Sequence, residues 1–294
     1  MQVFVTGATG FVGSAVVREL RAAGHGVRGL TRSDAGADFL RGLGAEPVHG
    51  TLEDTAGLRD AARRADAVIH TAFEHDFNDF GRVSALDRAA IEAFGDALAG
   101  SDRPLLVTAG MLMLAAGRPA TEADRPPPAE AFPRHSEIAA EALAARGMRA
   151  GTVRLPPTVH GAGDHAFIPR LIEIARATGV SAYVGDGANR WAAVHREDAA
   201  VVYRLAIEQG ATGGPYHAVA EEGVPFRAIA EAIGRELGVP VVSKSPDEAA
   251  AHFGWLTAFA ATDVAASAAR TRATLGWAPA RATLLEDMEA AGYF

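Results

Sequence analysis

The fold of this chain is decided by the stretch Gln2-Val3-Phe4-Val5-Thr6-Gly7-Ala8-Thr9-Gly10-Phe11-Val12-Gly13. Its first four residues form a short apolar run of strand length, and an amphipathic helical pattern begins within the last residues. Glycines at intervals of three residues, placed between a strand and a helix, are typical of a loop that binds the phosphates of a nucleotide. The sequence therefore predicts a nucleotide-binding loop at residues 6–13.

The three glycines of this loop have separate predicted roles. Gly7 allows a sharp turn after the strand, Gly10 lets the backbone approach a pyrophosphate, and Gly13 allows close packing of the helix on the strand. The phosphates are expected to accept hydrogen bonds from the free N–H groups at the start of the helix.

Apolar runs of strand length alternate with amphipathic helical stretches through the first half of the chain. The runs are residues 2–5, 26–31, 47–49, 67–71, 105–108 and 151–155. Continuous rather than alternating apolarity predicts strands buried on both faces, and hence an α/β fold with a Rossmann-type, doubly wound parallel sheet. Ligands of such sheets bind across the carboxyl ends of the strands.

In the second half the strand–helix alternation becomes irregular. Helical patterns occur at residues 168–177, 197–208, 226–237 and 246–253. We therefore predict a nucleotide-binding domain over 1–157 plus about 185–220, and a smaller C-terminal substrate-binding lobe over 158–184 and 221–294. The Pro-rich stretch 118–128 cannot form a helix or a central strand, so it is either an exposed connection or a lid over the site.

Composition excludes several classes of protein. The 294 residues suffice for a large core, and a net charge of -8 without a Lys/Arg run argues against a nucleic-acid partner. Cysteine is absent, which excludes disulfides, thiolate metal sites and a cysteine nucleophile. The predicted core strand starts at once, and the most apolar run, 105–116, is too short to span a bilayer. We expect a cytoplasmic protein without a membrane partner.

Five further segments follow one another in a recognisable order. They are residues 66–72 (DAVIHTA), 153–161 (VRLPPTVHG), 185–187 (GDG), 194–200 (VHREDAA) and 275–279 (LGWAP). Together with the glycine loop they resemble the extended and atypical short-chain dehydrogenases/reductases, the NAD-dependent epimerase/dehydratase superfamily. The resemblance implies a dinucleotide cofactor, a small-molecule substrate, and a homodimer through helices at 77–99 and 136–146.

The resemblance breaks at the catalytic residues. The family uses a Tyr-x-x-x-Lys, in which the tyrosine transfers a proton and the lysine lowers the pKa of that tyrosine. This chain has a single lysine, Lys244, with Pro240 four residues before it, so it contains no Tyr-x-x-x-Lys. Pro133 and Glu137 stand at the places of the tyrosine and the lysine. Another group must supply the proton, or the family's chemistry is absent.

Histidine is the side chain best suited to replace that tyrosine near neutral pH. His75 follows the fourth strand, beside Asp76, which is placed to orient it, and His135 adjoins the missing tyrosine. His165 follows the sixth strand and is assigned to the substrate wall. The alternative for each is a surface or structural histidine. The family's Ser or Thr after the fifth strand is also missing, and Thr108 is the candidate stand-in.

Other residues receive less specific assignments. His70, inside a strand, is assigned to packing, and His195 to a structural role between the lobes. The spacing contains no His-Glu-x-x-His metal motif and no Gly-x-Ser-x-Gly elbow of a serine hydrolase. The aromatic residues that could wall an apolar substrate pocket, or simply form core, are Phe73, Phe77, Phe80, Tyr183, Trp191, Phe253 and Trp255.

The end of the second strand indicates which dinucleotide binds. An acidic residue there would grip a ribose 2′-hydroxyl, but the chain reads Thr31-Arg32-Ser33. Arginine pairs with a 2′-phosphate and serine adds a hydrogen bond, so the sequence favours NADP(H). The nearby Asp34 keeps NAD(H) open, and the alternative for Arg32 is a solvated surface residue. The predicted cofactor-binding set is Thr6, Gly7, Thr9, Gly10, Phe11, Val12, Gly13, Thr31, Arg32, Ser33, Thr51, Leu52, Thr71, Ala72 and Pro156.

These observations predict an NAD(P)(H)-dependent oxidoreductase of the short-chain dehydrogenase/reductase type with a non-standard proton donor. A hydride would pass between the nicotinamide and a small-molecule carbonyl held beside Thr108, His75 and His135. Two alternatives stay open. The first is a regulatory protein that senses NADP(H) without turnover, and the second is a non-redox lyase or isomerase that retains the cofactor.

Overall fold

The computed structural model describes residues 1–74, 79–128, 134–290 and 292–294. The strands of this part of the chain are β1 (Gln2–Thr6), β2 (Gly26–Thr31), β3 (Glu46–His49), β4 (Ala67–His70), β5 (Leu105–Gly110), β6 (Ala150–Leu155), β7 (Thr158–His160), β8 (Ser181–Val184), β9 (Arg190–His195), β10 (Tyr216–His217), β11 (Glu221–Pro225) and β12 (Val241–Lys244). The α-helices are α1 (Phe11–Ala22), α2 (Asp34–Gly42), α3 (Thr55–Arg63), α4 (Phe80–Leu98), α5 (Ser136–Ala145), α6 (Phe167–Thr178), α7 (Arg196–Glu208), α8 (Phe226–Leu237), α9 (Pro246–Phe253), α10 (Thr257–Ala260), α11 (Ala269–Leu275) and α12 (Leu284–Ala290).

Seven strands form one sheet in the order β10-β6-β5-β4-β1-β2-β3, and all its neighbouring pairs are parallel. β1 lies inside this sheet between β2 and β4. Val3 and Val5 pack in one hydrophobic core with α1 and α7, whereas Phe4 packs in a second core with α3, α4 and α5. Helices on both faces explain the continuous apolarity of β1, and the predicted doubly wound α/β fold is confirmed.

Two smaller sheets lie beside the large one. One has the order β11-β9-β7, and the other pairs β12 with β8. Within the predicted segment 185–220, β9 pairs with β7 and β11, whereas α7 packs on α1 and β10 extends the central sheet. In the part of the chain that the structure describes, no helix is long and apolar enough to cross a membrane.

The Pro-rich stretch is tied to the rest of the molecule at its first half. The Ala120 amide donates to the Ala265 carbonyl oxygen at 2.8 Å, and the Ser267 amide donates to the Ala120 carbonyl oxygen at 2.8 Å. Glu122 is buried and accepts hydrogen bonds from the amide and the hydroxyl of Thr271 at 2.7 and 2.8 Å. Residues 120–122 are therefore an anchored part of the fold rather than a loose connection.

A buried ion pair fixes α5 to β6. Arg154 and Glu137 are only 1% and 4% exposed, and the guanidinium donates to both carboxylate oxygens at 2.6 to 3.1 Å. Arg154 Nη2 also donates to the Asp124 carbonyl oxygen at 2.7 Å. One side chain of β6 thus orients the start of α5 and holds the Pro-rich stretch above the sheet.

Replacing this arginine is expected to destabilise the protein strongly. Arg154→Met leaves the Glu137 carboxylate buried without its cation, which costs about 3–5 kcal/mol of unfolding free energy. The matched control is Arg88→Met, because Arg88 pairs with Glu92 at 2.8 Å on the exposed face of α4, and its loss is expected to cost less than about 1 kcal/mol. Urea unfolding followed by circular dichroism measures both, and equal losses in the two variants would contradict this role for Arg154.

Candidate active site

The loop between β1 and α1 requires glycine at two positions. Gly7 has a φ of +65°, which favours glycine, and a Cβ there would lie 2.7 Å from both Thr71 Oγ1 and the Ala72 amide nitrogen. A Cβ on Gly13 would lie 2.0 Å from the Gly7 carbonyl oxygen. The loop therefore packs tightly against both the end of β4 and the first turn of α1. Gly10, between these positions, is exposed.

The first turn of α1 presents unbonded amide groups. Its N-cap residue is Gly10, which has no side chain to cap the helix, and the turn carries no acidic residue, whereas the first turn of α7 carries two. The amides of Phe11, Val12 and Gly13 have no acceptor among the described residues. An uncapped helix start binds anions, so these residues fit the diphosphate of a dinucleotide.

Arg32 lies on the surface directly after β2. It makes no ion pair or side-chain hydrogen bond within the described ranges. Ser33 caps α2, since its hydroxyl oxygen accepts a hydrogen bond from the Gly36 amide at 3.1 Å. Asp34 Oδ1 lies 3.9 Å from Nε2 of His49 at the end of β3. The strand end therefore offers an available guanidinium, while the nearby carboxylate faces a histidine.

The remaining members of the predicted cofactor set lie at the carboxyl ends of the strands. Thr31 is buried at the end of β2, and Thr9 is exposed in the glycine loop. Thr51 and Leu52 follow β3, where the Thr51 hydroxyl donates to Glu53 at 3.3 Å and Leu52 packs against the core. Pro156 is buried directly after β6.

A buried chain of hydrogen bonds runs beneath these strand ends. Thr6 Oγ1 lies 2.6 Å from His70 Nδ1, and His70 Nε2 lies 3.0 Å from Asp87 Oδ1. The Ser136 hydroxyl donates to Asp87 Oδ2 at 2.6 Å. Because a carboxylate only accepts, His70 Nε2 donates the hydrogen bond to Asp87. His70 is buried, as its packing assignment implies, and both of its nitrogens are also bonded.

Thr108 lies at the end of β5 but is turned into the core. Its hydroxyl donates to the His70 carbonyl oxygen at 2.9 Å and lies 2.7 Å from the Tyr203 hydroxyl. Since the single hydrogen of Thr108 is used by the carbonyl, Tyr203 is the donor in the second bond. Burial raises the pKa of Tyr203. Thr108 can contact a reacting oxygen only if it gives up its bond to His70.

The guanidinium of Arg134 occupies the space in front of β5. Nη2 donates to the Thr108 carbonyl oxygen at 3.2 Å, and Nε donates to Ser136 Oγ at 3.3 Å. Its central carbon lies 4.1 Å from the ring centre of Phe73, which follows β4. Burial lowers the pKa of Arg134, and the negative charge of Asp87 partly opposes that effect. The cation therefore lies where the ends of β4 and β5 meet.

The predicted catalytic histidines have different surroundings. His75 and its neighbour Asp76 lie outside the described residues. His135 is the N-cap residue of α5, and its ring Nε2 is buried without a hydrogen-bond partner in the described chain. His165 is exposed, and its ring packs edge-on against Phe11, with ring centres 5.8 Å apart. His165 thus lies beside the glycine loop.

The aromatic residues divide between core and surface: Tyr183 is half-buried against the core, and Trp255 is exposed. Trp191 is buried and packs against Phe226, which in turn packs against Phe253. Phe73 lies under Arg134 and packs against Phe80, with ring centres 5.8 Å apart. Phe77 lies outside the described residues. His195 caps α7 by accepting a hydrogen bond from the Glu197 amide at 3.2 Å, a structural role.

A narrow cavity opens in front of β5. Its lining includes Gly110, Leu112, Leu114, Pro126, Pro127 and Arg134. Glu137 also borders the cavity but is paired with Arg154. Lys244 lies on β12 in a separate two-stranded sheet. The cavity therefore combines apolar walls with one guanidinium.

The sequence analysis missed three members of this site, namely Arg134, Asp87 and Ser136. A signal for Asp87 exists, because it stands four residues from both Val83 and Ile91 on the buried stripe of α4, where a carboxylate needs partners. Arg134 adjoins Pro133, which the resemblance sets at the place of the tyrosine. Ser136 looks like an ordinary residue at the start of a helix.

Residues 3–82 match the model of the NAD dependent epimerase/dehydratase family. An uncharacterised protein of Schizosaccharomyces pombe is 47% identical over the whole of both chains. A 4-hydroxy-2-methyl-3-oxo-4-farnesyl-3,4-dihydroquinoline-1-oxide ketoreductase of Stigmatella aurantiaca is 30% identical, over 86% of this chain and 80% of its own. The solved structure of a dTDP-glucose 4,6-dehydratase of Streptomyces venezuelae has a TM-score of 0.78 at 20% identity, covering 99% of this chain and 95% of its own, which shows the same fold.

The glycine loop gives a direct prediction for dinucleotide binding. In Gly13→Ala the new methyl group would meet the Gly7 carbonyl oxygen, so the loop must shift and the affinity is expected to fall by at least about tenfold. Gly42→Ala is the control, because a Cβ there meets nothing within 4 Å. Calorimetric titration measures both variants. Unchanged affinity in Gly13→Ala would show that the loop does not hold the dinucleotide.

Proposed function

Because the chain belongs to the NAD dependent epimerase/dehydratase family, we propose that it is an oxidoreductase that uses NADP(H) to interconvert a carbonyl and an alcohol on a small molecule. The observation that carries the proposal is the pairing of the uncapped glycine loop with a cationic, apolar-walled cavity at the ends of β4 and β5. The similarity to a ketoreductase supports the redox assignment.

Different residues of this chain would bind different parts of the cofactor. The amides at the start of α1 would bind the diphosphate, and Arg32 would pair with a 2′-phosphate. Thr71 and Ala72, packed against the loop at the end of β4, would line the cofactor through their backbone. When bound, NADP(H) supplies or accepts the hydride.

The reacting oxygen gains negative charge and then needs a proton. We assign the proton to His135 because its buried Nε2 has no partner among the residues described, and a buried polar atom normally has one. His75 stays the second candidate. Thr108 is the weakest, since its hydrogen already serves the His70 carbonyl oxygen.

Binding and turnover test the proposal in one sequence of measurements. The purified protein is titrated with NADPH, NADP⁺, NADH and NAD⁺, and is then mixed with a panel of carbonyl compounds while the nicotinamide absorbance is followed. We expect tight NADPH binding and oxidation with some panel member. Failure to bind any of the four nucleotides would refute the proposal.

The histidine assignment gives its own prediction. His135→Ala is expected to lower kcat by about 10²-fold, because general acid catalysis is lost, while nucleotide affinity stays unchanged. His75→Ala is measured in parallel. If both variants keep turnover within a few-fold of the wild type, neither histidine supplies the proton.

Cofactor choice depends on Arg32. Arg32→Ala is expected to weaken NADPH binding by about tenfold or more and to leave NADH binding unchanged, since only NADPH carries the 2′-phosphate. The control is Arg41→Ala on α2, whose guanidinium pairs with Asp38 on the surface. An equal loss for NADPH and NADH would contradict the assigned role.

One observation favours a second function. The sequence contains no Tyr-x-x-x-Lys, and Glu137, which the resemblance sets at the place of the lysine, is paired with Arg154. A protein that senses NADP(H) without turnover would show the same glycine loop. Tight NADPH binding without oxidation of any panel member would support this regulator over the reductase.

A further inference from the structure

Only some of the hydrogen-bond donors of Arg134 are used by the described residues. Of the five N–H groups of a guanidinium, one on Nε serves Ser136 and one on Nη2 serves the Thr108 carbonyl oxygen. The remaining three, two on Nη1 and one on Nη2, have no acceptor within the described part of the chain. They are available to a ligand at the cavity that Arg134 lines.

The charge of Arg134 also has no direct partner in the part of the chain that the structure describes. In the described residues no carboxylate lies within ion-pair distance of it. Asp87 acts on it through Ser136, which donates to Asp87 and accepts from Arg134, and the Glu137 carboxylate is bonded to Arg154. A desolvated cation without a paired anion is unfavourable, so the described part of the site has a deficit of negative charge that a ligand can fill.

The surroundings of the free donors are apolar. Leu112, Leu114, Pro126 and Pro127 line the cavity with Arg134. Even a Cβ built on Gly110 would lie 4.0 Å from Nη1, so no side chain separates the end of β5 from the guanidinium. Apolar walls exclude water and strengthen a charge pair formed between them.

We propose that Arg134 binds the carboxylate of a substrate whose remaining part is apolar. The planar edge of Nη1 and Nη2 matches the two oxygens of a carboxylate, and the apolar lining named above leaves room for one anionic group joined to an apolar remainder. The inference deepens the proposed function and takes its reaction from it. The substrate is then an oxo or hydroxy carboxylic acid, and Arg134 is a specificity-determining residue.

Binding of hexanoate and hexanamide tests this without any turnover. The two probes have the same length and differ in charge. Calorimetry on the wild-type protein, with and without NADP⁺, is expected to show at least a tenfold preference for hexanoate, since a charge-assisted bidentate contact is lost with the amide. Arg134→Met is expected to abolish that preference, and Arg134→Lys to retain only part of it because lysine keeps the charge but not the planar edge.

The control variant is Arg125→Met, which removes an exposed arginine of the Pro-rich stretch that pairs with Glu141, and it should keep the full preference. Thermal unfolding of Arg134→Lys confirms that the variant is folded. Equal binding of the two probes to the wild type would overturn the inference.

Two more outcomes separate the alternatives. Inorganic phosphate that competes as tightly as hexanoate would overturn the carboxylate assignment. A carboxylate preference that depends on Arg134, in a protein that reduces no carbonyl compound, would leave this inference standing and remove the proposed function. Loss of both NADPH oxidation and the carboxylate preference would remove both.

Discussion

The rest of the site depends on the hydrogen bonds of the buried Asp87 carboxylate. One oxygen faces His70 on β4 and the other accepts from Ser136 at the start of α5. His70 continues to Thr6, directly before the glycine loop, and Ser136 continues to Arg134. A buried carboxylate is tolerated only when its oxygens are bonded, so the positions of the loop and of Arg134 are fixed by the same residue.

A second carboxylate, Glu137, acts differently although it lies one residue from Ser136. Its full pairing with Arg154 joins α5, β6 and the Pro-rich stretch. It therefore stabilises the walls of the cavity and contributes little charge to its interior. The net charge that a substrate would meet in the described part of the cavity comes from Arg134. Arg134 is therefore assigned the electrostatic selectivity, and Glu137 the support of the cavity walls.

Local pattern was enough to predict most of the fold. Uninterrupted apolar runs place β2 at Gly26–Thr31 and the amphipathic pattern places α8 at Phe226–Leu237, as in the structure. The site is less accessible from sequence because its contacts are distant along the chain. Asp87 meets Ser136 across 49 positions. That Arg134 has no paired carboxylate among the described residues is visible only after Asp87 and Glu137 have been given their partners. The expectation that a titrating side chain replaces the tyrosine favours the histidines over this arginine.

The two halves of the site are specified by different physics. On the cofactor side, backbone geometry determines which residues are tolerated, because a Cβ on Gly7 or Gly13 would collide with neighbouring atoms. This side lies within the segment 3–82 that matches the family model. On the substrate side, beyond that segment, the charge and hydrogen bonding of side chains determine what the site can bind. A steric requirement permits little change, whereas a charge arrangement can be rebuilt by a few substitutions. The reaction of this chain must therefore be read from the residues between Thr108 and Glu137, where the described structure places the Arg134 guanidinium at the cavity and pairs Glu137 with Arg154.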